Sequence, residues 1–436
     1  SSPLLSNPCS NVHNPGMNTQ VRMRGAELVA GGSRIGFGPQ WLARIWAGRL
    51  DRILDRIDAA LARGSVELVL PDGRIRLLGG RAPGFEAAAT LFSMRAVLRL
   101  VTSGSVGCYQ GWEAGEWASP DPVALFALFV DNAKAMGNRA RAQGPWLLLA
   151  RFFHWLHRNT RSGASRNIHA HYDLGNDFYA AWLDPAMVYS SARFGDEARD
   201  LVSGQQHKLE TIAARLKGAR SVLEIGCGWG SLAHCLADTG SDVTAISLSE
   251  AQLDWARGRH AGEAIEFRKQ DYRDVTGQFD AIVSVEMVEA VGQEYWPAFF
   301  DCIERCLKPG GRAVVQYIAI ADQLFDAYAA NVDFIQSYIF PGGMLVREST
   351  FRQLAAERGL DWQDQENFAS DYAETLKLWR ERFDSAVNEG RLPAGFDARF
   401  VRLWRFYLMY CEGGFRGGGI DVAQVSLVKL PASVAS

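Results

Sequence analysis

The chain has 436 residues, 48% of them hydrophobic and 22% charged, with a formal net charge of −3. That length exceeds one ordinary core and predicts about two or three domains, while the charge excludes a globally basic nucleic-acid binder. The longest apolar run, Val123 to Val130, is far shorter than the roughly 20 residues of a membrane-spanning helix.

Residues 1–36 are polar, rich in Gly, Ser and Asn, and lack the apolar core of a signal peptide; they read as a disordered or appended tail. From Trp41, apolar residues recur at helical spacing through Leu61, opposite a face of Arg and Asp. An amphipathic helix is predicted there. Val66 to Leu78 then reads as two short strands around Pro71-Asp72-Gly73, a hairpin signal. Together these predict a small α+β domain over 38–140.

No acidic residue stands between Asp131 and Asp173, yet Lys134, Arg139, Arg141, Arg151, Arg158, Arg161 and Arg166 do. Within that window, Pro145 to His157 sets Trp146, Phe152, Phe153 and Trp155 among leucines. This pattern predicts a linker helix over 141–166. It suits either the surface of an anionic membrane or burial of its apolar face against the rest of the chain.

From residue 167 to 436 strands alternate with helices, at 221–226, 242–248, 264–270, 279–285 and 311–320. This α/β order predicts a Rossmann-like parallel sheet with helices on both faces and a ligand at the strands' carboxyl ends. The 321–348 insert is long for a plain connection and should roof the site. Residues 419–430 should close the sheet as an antiparallel partner.

Val222 to Gly230 read VLEIGCGWG, a buried strand that runs into a glycine-rich turn and opens a helix. Glycines there let backbone approach a nucleotide-type ligand. The following strand, Asp242 to Ser249, lacks the terminal acid that an NAD site places about 20 residues on. S-adenosylmethionine is therefore favoured over a dinucleotide, with a ligand-free turn as the alternative. The seven cysteines (Cys9, Cys108, Cys227, Cys235, Cys302, Cys306, Cys411) form no CxxC pair, as expected of reduced thiols in a cytoplasmic protein. Eight histidines show no ligand spacing beyond His169-x-His171, and no metal is predicted.

Eight ordered blocks carry a family resemblance: HYDLGNDFY (171–179), VYSSARF (188–194), EIGCGWG (224–230), QDYRD (270–274), VSVEMVEAVG (283–292), YIFPGG (338–343), NFASDYAETLKLW (367–379) and CEGGFR (411–416). They resemble the cyclopropane-fatty-acyl-phospholipid synthases and their mycolic-acid relatives, over about 166–430. The N-terminal module is similar, more weakly, to the lipid-binding domain of the bacterial phospholipid enzymes. The resemblance implies a class I methyltransferase fold with cofactor contacts from Tyr189, Ser190, Glu224, Gly226, Gly228 and Gly230. It adds Ser247, Leu248 and Gln252 near the ribose and Asp271 and Tyr272 near adenine. Ser247 and Gln252 also read as ordinary loop polar residues.

It further implies that Glu289 and Tyr372 help hold a bicarbonate, the base that takes a proton from the transferred methyl so that a ring closes. A helix-capping carboxylate and a core tyrosine are the plain alternatives. The chain departs from the family at that site: Ser191 replaces a cysteine, Gln316 a fifth-strand histidine, and Ala290 a histidine after the family glutamate. Gln316 donates a hydrogen bond but carries no charge, which puts the bicarbonate in doubt. Tyr317, Trp379, Tyr407 and Tyr410 are candidates to line an acyl pocket or to fill the core. Cys411 matches a cysteine once considered a nucleophile, and a structural role is expected of it.

An alkene is a poor nucleophile, so methylating one requires alignment in a dry pocket, worth ~7–11 kcal/mol. The resulting cation is stabilised by aromatic faces and fixed carboxylates. The expected activity is transfer of a methyl from S-adenosylmethionine to an unsaturated acyl chain of a phospholipid. With the base site altered, the expected product is a methyl-branched unsaturated chain, on a route toward branched or furan fatty acids, rather than a cyclopropane. Cyclopropane synthesis, methylation of a soluble small molecule and non-catalytic lipid binding are the rivals. Attachment to an anionic inner membrane face is expected, with no nucleic-acid partner; a homodimer is left open.

Overall fold

A computed structural model describes residues 23–31, 50–133, 174–195 and 200–431. The expected linker over 141–166, its cations, and His169 and His171 lie outside the described residues, as does the first half of the helix expected from Trp41. Within the stretch read as a structureless tail, Ala26–Gly31 forms a helix, α1. Arg24 anchors it, pairing with Asp177 at 2.5 Å and donating to the Leu174 carbonyl.

In the small domain, α2 (Leu50–Ala60) precedes the expected hairpin, β1 (Ser65–Val69) and β2 (Ile75–Gly79). Asp72 shapes its turn by accepting from Arg74 N at 3.0 Å. β3 (Glu86–Leu91) pairs parallel to β1, α3 (Arg95–Glu113) comes next, and β4 (Trp117–Ala118) completes a sheet ordered β2-β1-β3-β4. The longest apolar run is α4 (Pro122–Asp131), capped by Asp121 and buried along Leu125 to Leu128. No described helix is long and apolar enough to cross a membrane.

The larger domain begins with α5 (Asn176–Ala180) and α6 (Leu201–Arg215). Then come β5 (Ser221–Ile225), α7 (Ser231–Asp238), β6 (Asp242–Ser247), α8 (Glu250–Arg259), β7 (Ile265–Lys269) and β8 (Phe279–Val285). α9 (Trp296–Cys306) and β9 (Leu307–Ile320) lead to α10 (Asp322–Ala329) and α11 (Phe334–Tyr338), the helices of the 321–348 insert, none of whose residues lines the cavity beside the carboxyl end of β5. α12 (Glu348–Ala356), β10 (Leu360–Asn367), α13 (Ala369–Asn388), α14 (Ala398–Arg416) and β11 (Ile420–Lys429) finish the chain.

The sheet order is β10-β11-β9-β8-β5-β6-β7, with parallel pairing from β9 to β7 and β11 antiparallel to both its neighbours. Residues 419–430 therefore do not close an edge: β11 lies between β9 and β10, a strand absent from the sequence reading because its residues alternate weakly. β5 stands where the chain reverses its direction across the sheet, the point at which such folds bind ligands.

The region of the four-stranded sheet and that of the seven-stranded sheet share one apolar core and meet through aromatic rings. Tyr109 meets Tyr338 edge-on at 4.7 Å and Phe334 at 5.0 Å, and Gln110 donates to Tyr338 Oη at 3.3 Å. α14 lies against α4 because Gly413 has no side chain; a Cβ there would come within 2.5 Å of Phe126 Cβ. That close approach accounts for part of the CEGGFR block.

Candidate active site

A cavity of about 190 Å³ opens beside the carboxyl end of β5. It is lined by every expected cofactor residue except Gly230: Tyr189, Ser190, Glu224, Gly226, Gly228, Ser247, Leu248, Gln252, Asp271 and Tyr272. Gly230 instead starts α7 in the left-handed region. Gly228 holds φ 53°, and a Cβ built there meets no protein atom within 4 Å, so the turn leaves room against its backbone.

Glu224 is buried, its Oε2 has no partner among the described residues, and burial pushes its carboxyl up to about 8. Tyr272 Oη is likewise buried without a partner, while Ser247 Oγ donates to Gln252 Oε1 at 3.3 Å. Asp271 pairs with Arg273 and accepts from its backbone N–H, which shapes the turn beneath Tyr272. Orphaned acceptors and hydroxyls around a glycine-walled cleft suit a ligand rich in hydroxyls and amines. S-adenosylmethionine fits that donor set: the glycine turn would take its amino-acid end, Ser247, Leu248 and Gln252 its ribose, and Asp271 with Tyr272 its adenine.

At the wall of the cleft, Tyr372 and the two replacements Ser191 and Gln316 converge on a residue that the motifs did not single out, Glu286. Glu286 Oε1 accepts from Ser191 N at 2.9 Å and from Gln316 Nε2 at 2.6 Å, and its Oε2 accepts from Tyr372 Oη at 2.6 Å. Gln316 is itself aimed by Gln424 of β11, whose Nε2 donates to Gln316 Oε1 at 2.8 Å. Tyr372 is fixed by stacking on Phe415 at 4.4 Å. Burial raises the Glu286 carboxyl, while Tyr372, Lys208, Ser191 and Gln316 all oppose the rise. Its backbone sits at φ 47°, in the region that side-chain-bearing residues rarely occupy.

Glu289 stands close by. Its Oε1 accepts from Ile318 N, its Oε2 is buried without a partner, and burial, then the charge of Glu286, push its carboxyl up to about 8. The carboxyl is thus largely protonated at neutral pH. Ser191 contributes its backbone, because its Oγ donates instead to the Ala192 carbonyl at 2.9 Å. Ala290 lines the cavity.

Tyr317 is not in this constellation. On β9 it points away from Gln316, donating to Glu348 Oε2 at 3.2 Å and packing on Phe351, as the two-residue period of a strand requires. Tyr189 Oη and Tyr407 Oη share a hydrogen bond of 2.9 Å, and Trp379 lies 5.2 Å from the Tyr189 ring. Tyr410 instead packs on Phe126 and Phe334 at the domain interface. Burial pushes the Cys411 thiol well up, opposite to a nucleophile's need.

Two residues of this region escaped the sequence reading, Glu286 and the buried Lys208. The available signal was a charge at an otherwise apolar position, at the end of β8 and on the inner stripe of α6. Elsewhere, Glu263 bridges His234 Nδ1 at 2.8 Å and His260 Nδ1 at 3.2 Å, a grouping that spacing alone did not reveal.

The reversed parallel sheet, the glycine turn and the orphaned polar groups define an S-adenosylmethionine-dependent methyltransferase. Residues 159–425 match the family model described as mycolic acid cyclopropane synthetase. The tuberculostearic acid methyltransferase UfaA1 of Mycobacterium tuberculosis is 36% identical over 356 residues, covering 76% of this chain and 80% of that protein. The cyclopropane-fatty-acyl-phospholipid synthase of Escherichia coli K12 is 41% identical over 261 residues, 58% of this chain and 65% of its own length. The solved structure of the mycolic acid cyclopropane synthase CmaA1 complexed with SAH and CTAB aligns with a TM-score of 0.56 at 26% identity, over 61% of this chain and 98% of that one. The chain belongs to the mycolic acid cyclopropane synthetase family. Its activity is S-adenosylmethionine-dependent methylation of a lipid acyl chain.

Proposed function

We propose that the protein methylates an unsaturated acyl chain of a phospholipid and releases a methyl-branched chain that keeps a double bond. One observation carries this reading: Tyr372, expected to help hold bicarbonate, and Ser191 and Gln316, which replace family residues at that site, are all engaged by Glu286. An anion placed there would have to displace a carboxylate bonded on both oxygens.

S-adenosylmethionine, when bound, supplies an electrophilic methyl group. An alkene carbon that takes this methyl leaves a cation on its neighbour, and the chain's residues decide the fate of that cation. Tyr189, Trp379 and Tyr407 offer ring faces worth about 0.5–2 kcal/mol each to a cation. Glu286 supplies a fixed negative charge that needs no reorganisation and an oxygen to accept the proton that ends the reaction. A base tethered by three hydrogen bonds has little freedom to follow the transferred methyl, so proton loss from the chain, leaving an alkene, is favoured over ring closure.

The relative named a methyltransferase accords with a product that keeps its methyl as a branch, and the relative named a cyclopropane synthase keeps the alternative in view. The protein is read as cytoplasmic and held on the inner membrane face by residues 141–166. Turnover on unsaturated phospholipid vesicles with labelled cofactor, followed by proton NMR and fragmentation of the acyl chains, tests the product. A cyclopropane as sole product, formed in strict dependence on bicarbonate, would sink the branched-chain reading.

A further inference from the structure

Among the described residues, Lys208 is the lysine or arginine found fully buried. It sits on the face of α6 that also turns Leu201, Leu209 and Ile212 inward. An ammonium without water is strongly unfavourable unless paired and hydrogen-bonded, so its position calls for an electrostatic account. Lys208 Nζ donates to Ser190 Oγ at 2.6 Å, and both residues line the cofactor cavity together with Glu286. Glu286 lies one residue along from that bond, held by Ser191 N at 2.9 Å, and the negative charges acting on Lys208 are Glu286 and Asp184. Asp184 is engaged in shaping the chain ahead of Ser190, accepting from Ala186 N at 2.8 Å and Val188 N at 3.0 Å.

We propose that Lys208 is a positioning residue, the buried counter-ion of Glu286 at the reaction centre, anchored on Ser190 while the next residue, Ser191, binds Glu286. This rests on reading Glu286 as the proton acceptor. The groups facing Glu286 are Tyr372 from α13, Gln316 from β9, Ser191, Lys208 from α6, and Glu289. Of these, Lys208 alone brings a positive charge, and the Glu286 and Glu289 carboxyls disfavour each other's ionisation. Burial lowers the lysine to about 8, and the charges of Glu286 and Asp184 oppose that fall. The pair also leaves the chamber close to neutral before a sulfonium enters, whereas an unbalanced buried ammonium would repel it.

The test is infrared titration of the protonated carboxyl band on the full chain, with Glu286→Gln identifying the Glu286 contribution. Lys208→Met should move its protonation midpoint upward by about 1–3 pH units, and the acid limb of the kcat profile should move with it. Lys208→Gln, which keeps a donor for Ser190 but no charge, should do the same. A midpoint unchanged in both variants, or a rate loss equal at every pH, overturns the proposal. Full activity of Glu286→Gln would instead remove the proton-acceptor reading, leaving the infrared shift to decide the counter-ion role by itself.

Discussion

Replacing Glu286 by glycine removes the carboxylate with little damage to the backbone. The φ of 47° at this position is one that glycine adopts freely and that costs another residue about 1–2 kcal/mol. The exchange relieves that strain but leaves Tyr372 Oη, Ser191 N and Gln316 Nε2 without their acceptor, at about 1–3 kcal/mol for each donor that stays dry. A net loss of a few kcal/mol in stability is expected, together with a fall in kcat of about 10²–10⁴ from loss of a positioned base. The vacated position has the donors for a small anion. Bicarbonate or formate should therefore restore turnover by roughly tenfold or more, and saturation to about 100 Kd should return about 2.7 kcal/mol of stability. A mobile base also reaches the transferred methyl more readily, so bicarbonate should introduce cyclopropane among the products. Methyl transfer into unsaturated phospholipid vesicles and thermal melting, each with and without anion, measure these effects. Wild-type turnover in Glu286→Gly, or a folded but inactive variant that no anion rescues, would refute the reasoning.

Gly228→Ala should abolish S-adenosylmethionine binding in calorimetry while the fold survives, because the new methyl meets no protein atom; unchanged affinity would remove the turn from the cofactor site. Charge reversal of Arg151, Arg158 and Arg161 should reduce sedimentation with anionic vesicles, and salt should do the same to the unaltered protein. Equal sedimentation at low and high salt would favour burial of that segment. Glu224 rises from 4.5 to about 8 on folding, so the unfolded chain releases its proton first and stability falls as pH climbs through that window. Glu224→Gln lacks this penalty, and its melting temperature relative to the parent should therefore increase from pH 5 to pH 8; a constant difference would contradict the burial account.

The arrangement of the larger domain was legible in the sequence because its signals are local. A short apolar strand, a run of glycines and a helical repeat occupy neighbouring residues, so β5, its turn and α7 could be placed from Val222 to Gly230. Most residues that line the cavity beside β5 were legible for the same reason, each lying in a contiguous block. The hairpin at Asp72 needed only its turn residues and the alternation on either side. β10 and the seating of β11 between two strands were not legible, since neither sheet neighbour nor edge is encoded nearby.

The hydrogen-bonded cluster around Glu286 belongs to the tertiary structure. Alternation along β9 required Gln316 and Tyr317 to face opposite ways, yet only packing decided which of them meets the reaction centre. Glu286 gathers donors from residues 191, 316 and 372, far apart in sequence, and the charges of Glu286, Glu289 and Lys208 depend on one another through a shared buried volume. Sequence by itself determined the family, the cofactor and the methyl transfer, because contiguous residues carry them. The gathering of Glu286, Glu289, Lys208 and their hydrogen-bond donors was decided by the fold, because hydrogen bonding and desolvation act through space, and only folding brings those groups within reach of each other.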